Sequence, residues 1–212
     1  MVFFRTMNQE TDSAAWRHLS EIANQRFPKL IPVLQHNGKI RHRSSRESLF
    51  VFLARTVVGQ QLSKAAASTI WARIERAAEG GCMEQFFQDS RTDNLRELGL
   101  AASKTKSIKS IASAVGAGLL NGRTLRKMQY EEVVETVTSH SGLGPWSADM
   151  VAIFYIGLPD VFPVTDVAVN NGLRHMSESS ELDSQDIADM FAPYRSYLAK
   201  HLWRGIDSGI LK

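Results

Sequence analysis

The spacing of apolar residues limits this chain more than any other feature. Eight stretches, near 12–26, 47–58, 63–78, 103–119, 130–138, 146–156, 167–176 and 195–206, repeat apolar positions at the helical period, and no two segments alternate as paired strands would. In the third stretch Ala66, Ala67, Ile70, Trp71, Ile74, Ala77 and Ala78 follow one helix face, and Ser63 stands where an N-cap belongs. Glycine and proline break the pattern at 27–28, 37–38, 80–81, 121–122, 142–145 and 157–163, gaps too short to be disordered linkers. With no internal repeat and no low-complexity tract, residues 1–212 read as a single all-α unit, its helices forming two lobes around a cleft.

Composition narrows the chemistry. With 43% hydrophobic and 22% charged residues, the chain has apolar material for one substantial core or two small ones, which excludes disorder, collagen and a coiled coil. One cysteine, Cys82, leaves no internal disulfide, no cysteine-built zinc site and no four-thiolate iron–sulfur cluster. The six histidines lack metal-ligand spacing, so no catalytic metal or other cofactor is expected. No apolar run reaches membrane-spanning length, and Met1-Val2-Phe3-Phe4 is too short for a signal peptide's apolar part. The expectation is an intracellular monomer without membrane contact, in the cytoplasm and nucleoid of a bacterium or the nucleus of a eukaryote. Up to Ser110 the chain holds 17 basic and 10 acidic residues, and after it 8 and 12, net +7 against −4. This asymmetry turns the first part toward a polyanion, with Lys39, Arg41, Arg43, Arg46 and Lys104, Lys106, Lys109 as its densest clusters. A solvated helix surface explains any single cluster equally well.

Ser139-His140-Ser141-Gly142-Leu143-Gly144-Pro145-Trp146-Ser147 joins a helix ending near Thr138 to one starting at Pro145, a hairpin over about 130–157. Gly142 and Gly144 permit positive φ and close backbone approach, Leu143 can pack between the helices, and Pro145 suits a first helical position. Main-chain amides at a helix N-terminus suit a phosphate oxygen, because they offer unpaired donors and the positive end of the helix dipole. Ser147 can add a hydroxyl. A plain glycine turn between packed helices fits the same residues.

Followed by Pro159-Asp160-Val161-Phe162-Pro163-Val164-Thr165-Asp166, the hairpin resembles the signature of the helix-hairpin-helix DNA glycosylase superfamily. Three more segments are similar to its alkylbase branch, the DNA-3-methyladenine glycosylase II type. They are Val57-Val58-Gly59-Gln60-Gln61-Leu62-Ser63; Leu95-Arg96-Glu97-Leu98-Gly99-Leu100 with Lys104 and Lys106; and Pro193-Tyr194-Arg195-Ser196-Tyr197 through His201-Leu202-Trp203. The resemblance covers nearly the whole chain and fits the compact form without an N-terminal sheet domain. It implies two helical lobes around a DNA-binding cleft and a monofunctional enzyme of base excision repair. Such an enzyme hydrolyses the N-glycosidic bond of alkylated bases, such as 3-methyladenine and 7-methylguanine, in damaged double-stranded DNA. The abasic site it leaves passes to a downstream endonuclease. Sister enzymes that also cut the strand carry a lysine after the hairpin; here Trp146 holds that position, and an indole cannot form a Schiff base.

By resemblance Asp166 is the catalytic carboxylate, opposing the positive charge that develops on deoxyribose as the base leaves. It also stands where a helix over 167–176 would take its N-cap, and the two roles are compatible. Asp149 and Asp160 are rival carboxylates. Trp146 and Trp203 match pocket positions, where an indole face favours a cationic alkylated purine; as unplaced tryptophans they equally suit a core. Gln61 corresponds to the wedge that fills the gap left by a flipped nucleotide, or else Gln60 and Gln61 are polar residues at a helix junction. The resemblance further implies a structural monovalent cation on the main-chain carbonyls of Thr138, His140 and Leu143. Thr165, where relatives carry a second acid, Met150, where a bacterial relative has an aromatic, and Pro145, which removes one amide, depart from the pattern. Two other readings are a glycosylase for deaminated or oxidised bases and a non-catalytic helix-hairpin-helix module that senses damage; a module needs no Asp166.

Overall fold

The computed structural model describes residues 2–177 and 182–211; Met1, 178–181 and Lys212, parts of the span read as one unit, lie outside the described residues. Every regular element among the described residues is helical. In chain order these are α1 (Val2–Arg26), α2 (Ile31–Asn37), α3 (Leu49–Gly59), α4 (Lys64–Ala77), α5 (Met83–Asp89), α6 (Thr92–Glu97), α7 (Ala102–Gly116), α8 (Gly122–Leu125), α9 (Tyr130–Thr138), α10 (Pro145–Met150), α11 (Val167–Met176), α12 (Ser184–Asp189) and α13 (Arg195–Ser208). A 3-10 turn, Pro28–Leu30, leads into α2, and a π-helical turn, Val151–Ile156, follows α10. The eight periodic stretches all fold as helices. Those the periodicity did not announce, α2, α5, α6, α8 and α12, have seven residues or fewer, too few to repeat a 3.6-residue pattern.

Side chains set several helix starts. Ser48 accepts the Val51 amide, Ser63 the Ala66 amide and Asp166 the Val169 amide, each satisfying a donor the first helical turn leaves unpaired. Gln129 and Glu132 form a capping box at α9.

The chain divides into two compact units, one of residues 1–44 with 152–212, the other of residues 45–151. In the 45–151 unit α3 packs on α4, α5 and α7, and α9 packs on α10. Phe50 and Phe87, both fully buried, meet edge to face at 5.7 Å, and each contributes about 1.5–3 kcal/mol by burial. In the other unit α13 packs on α2, α11 and α12 around Leu19, Leu30, Leu173, Phe191, Leu198 and Leu202. A buried acid, Asp12 of α1, pins that unit together. It accepts the His42 amide at 3.1 Å, Arg43 at 2.8 Å and the Tyr197 hydroxyl at 2.9 Å. Burial opposes its charge, yet those donors prevail and hold the carboxyl below its ordinary range. No helix among the described residues is long and apolar enough to cross a membrane.

Candidate functional site

The hairpin lies in the 45–151 unit up to Val151. Gly142 takes φ +86°, and a Cβ there would collide with the Cβ and Oγ of Ser107 in α7, so backbone and packing both require glycine. Gly144 departs from the expectation of positive φ. Its φ of −104° and ψ of −175° are extended backbone open to any residue, and no atom lies within 4 Å of an added Cβ. Leu143 is buried as expected, and its amide binds the His140 carbonyl at 3.1 Å. Among the described residues no intrachain acceptor takes the amide of Gly142 or Gly144. Pro145 occupies the first position of α10. The Tyr130 hydroxyl donates to Asp149 at 2.6 Å, tying α9 to α10; buried at 2% exposure, Asp149 is a structural acid.

Ser147, expected to offer its hydroxyl outward, is turned inward at 1% exposure. Its Oγ receives Gln60 Nε2 at 3.3 Å, and the same amide nitrogen reaches the Gly142 carbonyl at 3.3 Å. Gln61, next in the chain, is exposed with φ +57°. Trp146 is half-buried, and Met150 is buried at 7% exposure. The three carbonyls of Thr138, His140 and Leu143 are neutral oxygen donors of the kind a hard monovalent ion accepts, and His140 keeps a lone pair beyond its bond from Leu143. No cluster of three or more His, Cys, Asp or Glu suited to a metal ion occurs among the described residues.

The unit of residues 1–44 and 152–212 holds the carboxylate. Asp166 caps α11 through Oδ1, which accepts the Val169 amide at 2.9 Å, while Oδ2 accepts the indole N–H of Trp203 at 3.2 Å. Each carboxylate oxygen thereby has a fixed donor. Trp203 is half-buried and lies 5.4 Å from the Phe154 ring at 40°. Above Phe154, at 4.9 Å, stands the Lys200 ammonium, which donates to His42 Nδ1 at 2.7 Å. That bond leaves the His42 proton on Nε2, directed at the Leu158 carbonyl at 3.0 Å. Burial, with Lys200 adding to it, pulls His42 down to about 4; burial and the nearby Arg204 bring Lys200 to about 8. Asp160 is held by Arg195, with Nε to Oδ1 at 2.8 Å and Nη2 to Oδ2 at 2.9 Å. The two rival carboxylates thus have structural partners.

Four of the seven clustered cations are turned to internal work. Arg43 pairs with Asp12, Lys39 binds Ser13 Oγ, Lys109 binds the Ser90 carbonyl, and Lys104 binds the carbonyls of Val58 and Gln60 at 2.9 and 2.7 Å. Arg41, Arg46 and Lys106 are exposed. Sequence reasoning missed Phe154 and Lys200 beside Trp203. The three-residue step from Lys200 to Trp203 places both on one side of α13.

The family described as HhH-GPD superfamily base excision DNA repair protein matches residues 54–190. DNA-3-methyladenine glycosylase 1 of Schizosaccharomyces pombe is 28% identical over 196 residues, 88% of this chain and 84% of that protein. A structure of the 3-methyladenine DNA glycosylase of that yeast with abasic DNA superposes at a TM-score of 0.79, with 25% identity over 92% of this chain and 97% of that one. A DNA-3-methyladenine glycosidase from Bacillus halodurans aligns at a TM-score of 0.72 with 25% identity, covering 91% and 90%. An 8-oxoguanine glycosylase/lyase of Clostridium acetobutylicum, 16% identical at a TM-score of 0.74, shares the fold.

Proposed function

This chain belongs to the HhH-GPD superfamily of base excision DNA repair proteins, and we propose that it is a monofunctional alkylbase DNA glycosylase, hydrolysing the N-glycosidic bond of bases such as 3-methyladenine and 7-methylguanine in duplex DNA. The observation that carries this reading is the Asp166 carboxylate, fixed at the start of α11 by the Val169 amide and the Trp203 indole. As the base departs, its bonding electrons leave with it and positive charge grows on the sugar; Asp166 opposes that charge and polarises the attacking water. An alkylated purine already carries positive charge and departs neutral, which lessens the need for a general acid. An indole face, such as that of Trp146 or that of Trp203, suits such a cation, at roughly 0.5–2 kcal/mol.

The amides of Gly142 and Gly144 at the start of α10 are the phosphate donors, and exposed Arg41, Arg46 and Lys106 add charge toward the backbone. A monovalent cation on the carbonyls of Thr138, His140 and Leu143 would steady that phosphate electrostatically. Gln61 enters the stack as the damaged nucleotide leaves. Trp146 in place of a lysine supports hydrolysis without strand cleavage, and the abasic product passes to an endonuclease. The protein works as a monomer, residues 1–212 forming one functional unit. Free-base release from methylated duplex DNA, with each base identified chromatographically, tests the reading: 3-methyladenine and 7-methylguanine should appear, and release of neither would refute it.

A further inference from the structure

The turn between α3 and α4 carries a junction that neither the hairpin nor the carboxylate explains. Two neighbouring glutamines behave in opposite ways there. The Gln60 main chain is held from α7, since Lys104 Nζ binds the Gln60 carbonyl at 2.7 Å and the Val58 carbonyl at 2.9 Å. Its side chain crosses to the hairpin, where Nε2 meets the Gly142 carbonyl and Ser147 Oγ, both at 3.3 Å. A primary amide has two hydrogens on that nitrogen, one for each acceptor. Gln61, immediately after, is exposed and left-handed at φ +57°, a conformation a non-glycine residue keeps when its surroundings impose it.

We propose that Gln60 is a positioning residue, bolting the turn that presents Gln61 to the glycine hairpin so that phosphate docking and insertion of Gln61 occur in one register. The inference rests on the reading of the hairpin and Gln61 given above. The acceptor on the hairpin belongs to Gly142, whose own amide is one of the phosphate donors. A hairpin seated on the backbone therefore fixes where Gln60 sits, and with it the starting point of Gln61. Lys104 holds the other side of the same residue, and burial lowers its pKa, as befits an ammonium working inside the chain.

The test is a double-mutant cycle read by nucleotide flipping. Gln60→Met keeps length and removes the donor; Gln61→Ala removes the wedge; the third protein carries both. Each is mixed at saturation with a duplex holding 2-aminopurine beside the lesion, and its fluorescence rise, single-turnover base release, affinity for undamaged duplex and melting temperature are recorded. Gln61→Ala should cut flipping and release about tenfold, Gln60→Met should do nearly the same with duplex affinity within about twofold, and the double variant should lose no more than either. Losses that multiply in the double variant mean that Gln60 acts independently of Gln61, and they overturn the proposal. So does normal flipping by Gln60→Met. Normal flipping by Gln61→Ala ends the wedge assignment and this inference with it, while base release by the unaltered protein decides the enzymatic reading separately. Should Gln60→Met fail to fold, Gln60→Asn, one methylene shorter and out of reach of the hairpin, takes its place in the same cycle.

Discussion

Replacing Asp166 with asparagine separates the cap it forms on α11 from the catalytic role proposed for it. Asparagine caps helices about as well as aspartate, so the bond from the Val169 amide survives through the remaining carbonyl oxygen. The new amide nitrogen then faces Trp203 Nε1, two donors where a donor met an acceptor at 3.2 Å. Losing a hydrogen bond to a charged group costs about 1.5–3 kcal/mol when buried, and the half-buried position brings this to about 1–2. For a chain of this size that is a fall in Tm of about 2–8 °C. Removing the charge proposed to oppose the sugar cation should slow single-turnover excision on the order of 10²–10³-fold, about 2.7–4 kcal/mol of transition-state stabilisation. Affinity for lesion DNA should hold or rise slightly, one repulsion of the phosphates being gone. Asp160→Asn is the comparison: it breaks the forked pair with Arg195 and lowers Tm, yet removes no charge facing the sugar, so excision by the folded protein should persist. An Asp166 variant that folds, binds lesion DNA and releases 3-methyladenine at the unaltered rate would show that capping is its whole role. An equal slowing by Asp160→Asn would trace the loss to the fold.

The two hairpin glycines should part company. Gly142→Ala meets a left-handed backbone penalty of about 1–2 kcal/mol and the Ser107 side chain, and should lower Tm, whereas Gly144→Ala should melt normally but bind damaged and undamaged duplex more weakly by anisotropy; undiminished affinity at Gly144 refutes close approach of the backbone there. Borohydride present during turnover should trap no covalent adduct, and strands should stay intact until heat or alkali; an efficiently trapped adduct contradicts the assignment made from Trp146. Stability should fall on acidification. Buried His42 and His201 sit at about 4 and about 3, below the ordinary 6.5, so the unfolded chain binds more protons between those limits. Their contribution is nearly complete at pH 7, and between pH 7 and 5 about 4 kcal/mol should be lost, with urea midpoints that do not move over this range counting against neutral, buried imidazoles.

Long helices were legible because each buries a face, and a buried face writes its period into the sequence. Ser63 before α4 and Asp166 before α11 were legible as caps for the same local reason. Helices such as Gly122–Leu125 and Ser184–Asp189 are too short to repeat, and the π-helical turn at Val151–Ile156 changes the period within a run of apolar residues that reads the same either way. Cations were the least legible. Lys104 and Arg46 look alike as letters, but one caps the end of α3 and the other is exposed, a difference set by partners far away in sequence. Gln60 is the same case: its acceptors lie 82 and 87 residues on, where no local pattern can point.

The division of the chain also bears on its synthesis. The hairpin-bearing unit is one uninterrupted stretch, residues 45–151, whereas the other unit is opened after Ser44 and resumes at Ala152. A ribosome working from the N-terminus therefore delivers every residue of the hairpin-bearing unit well before Arg195–Ser208, the helix that brings Trp203 to Asp166. A nascent or prematurely stopped chain ending near residue 190 has all of its hairpin and an Asp166 with no indole to hold its second oxygen. Under the roles proposed above, the groups that would bind phosphate are made before the helix whose Trp203 indole donates to the Asp166 carboxylate.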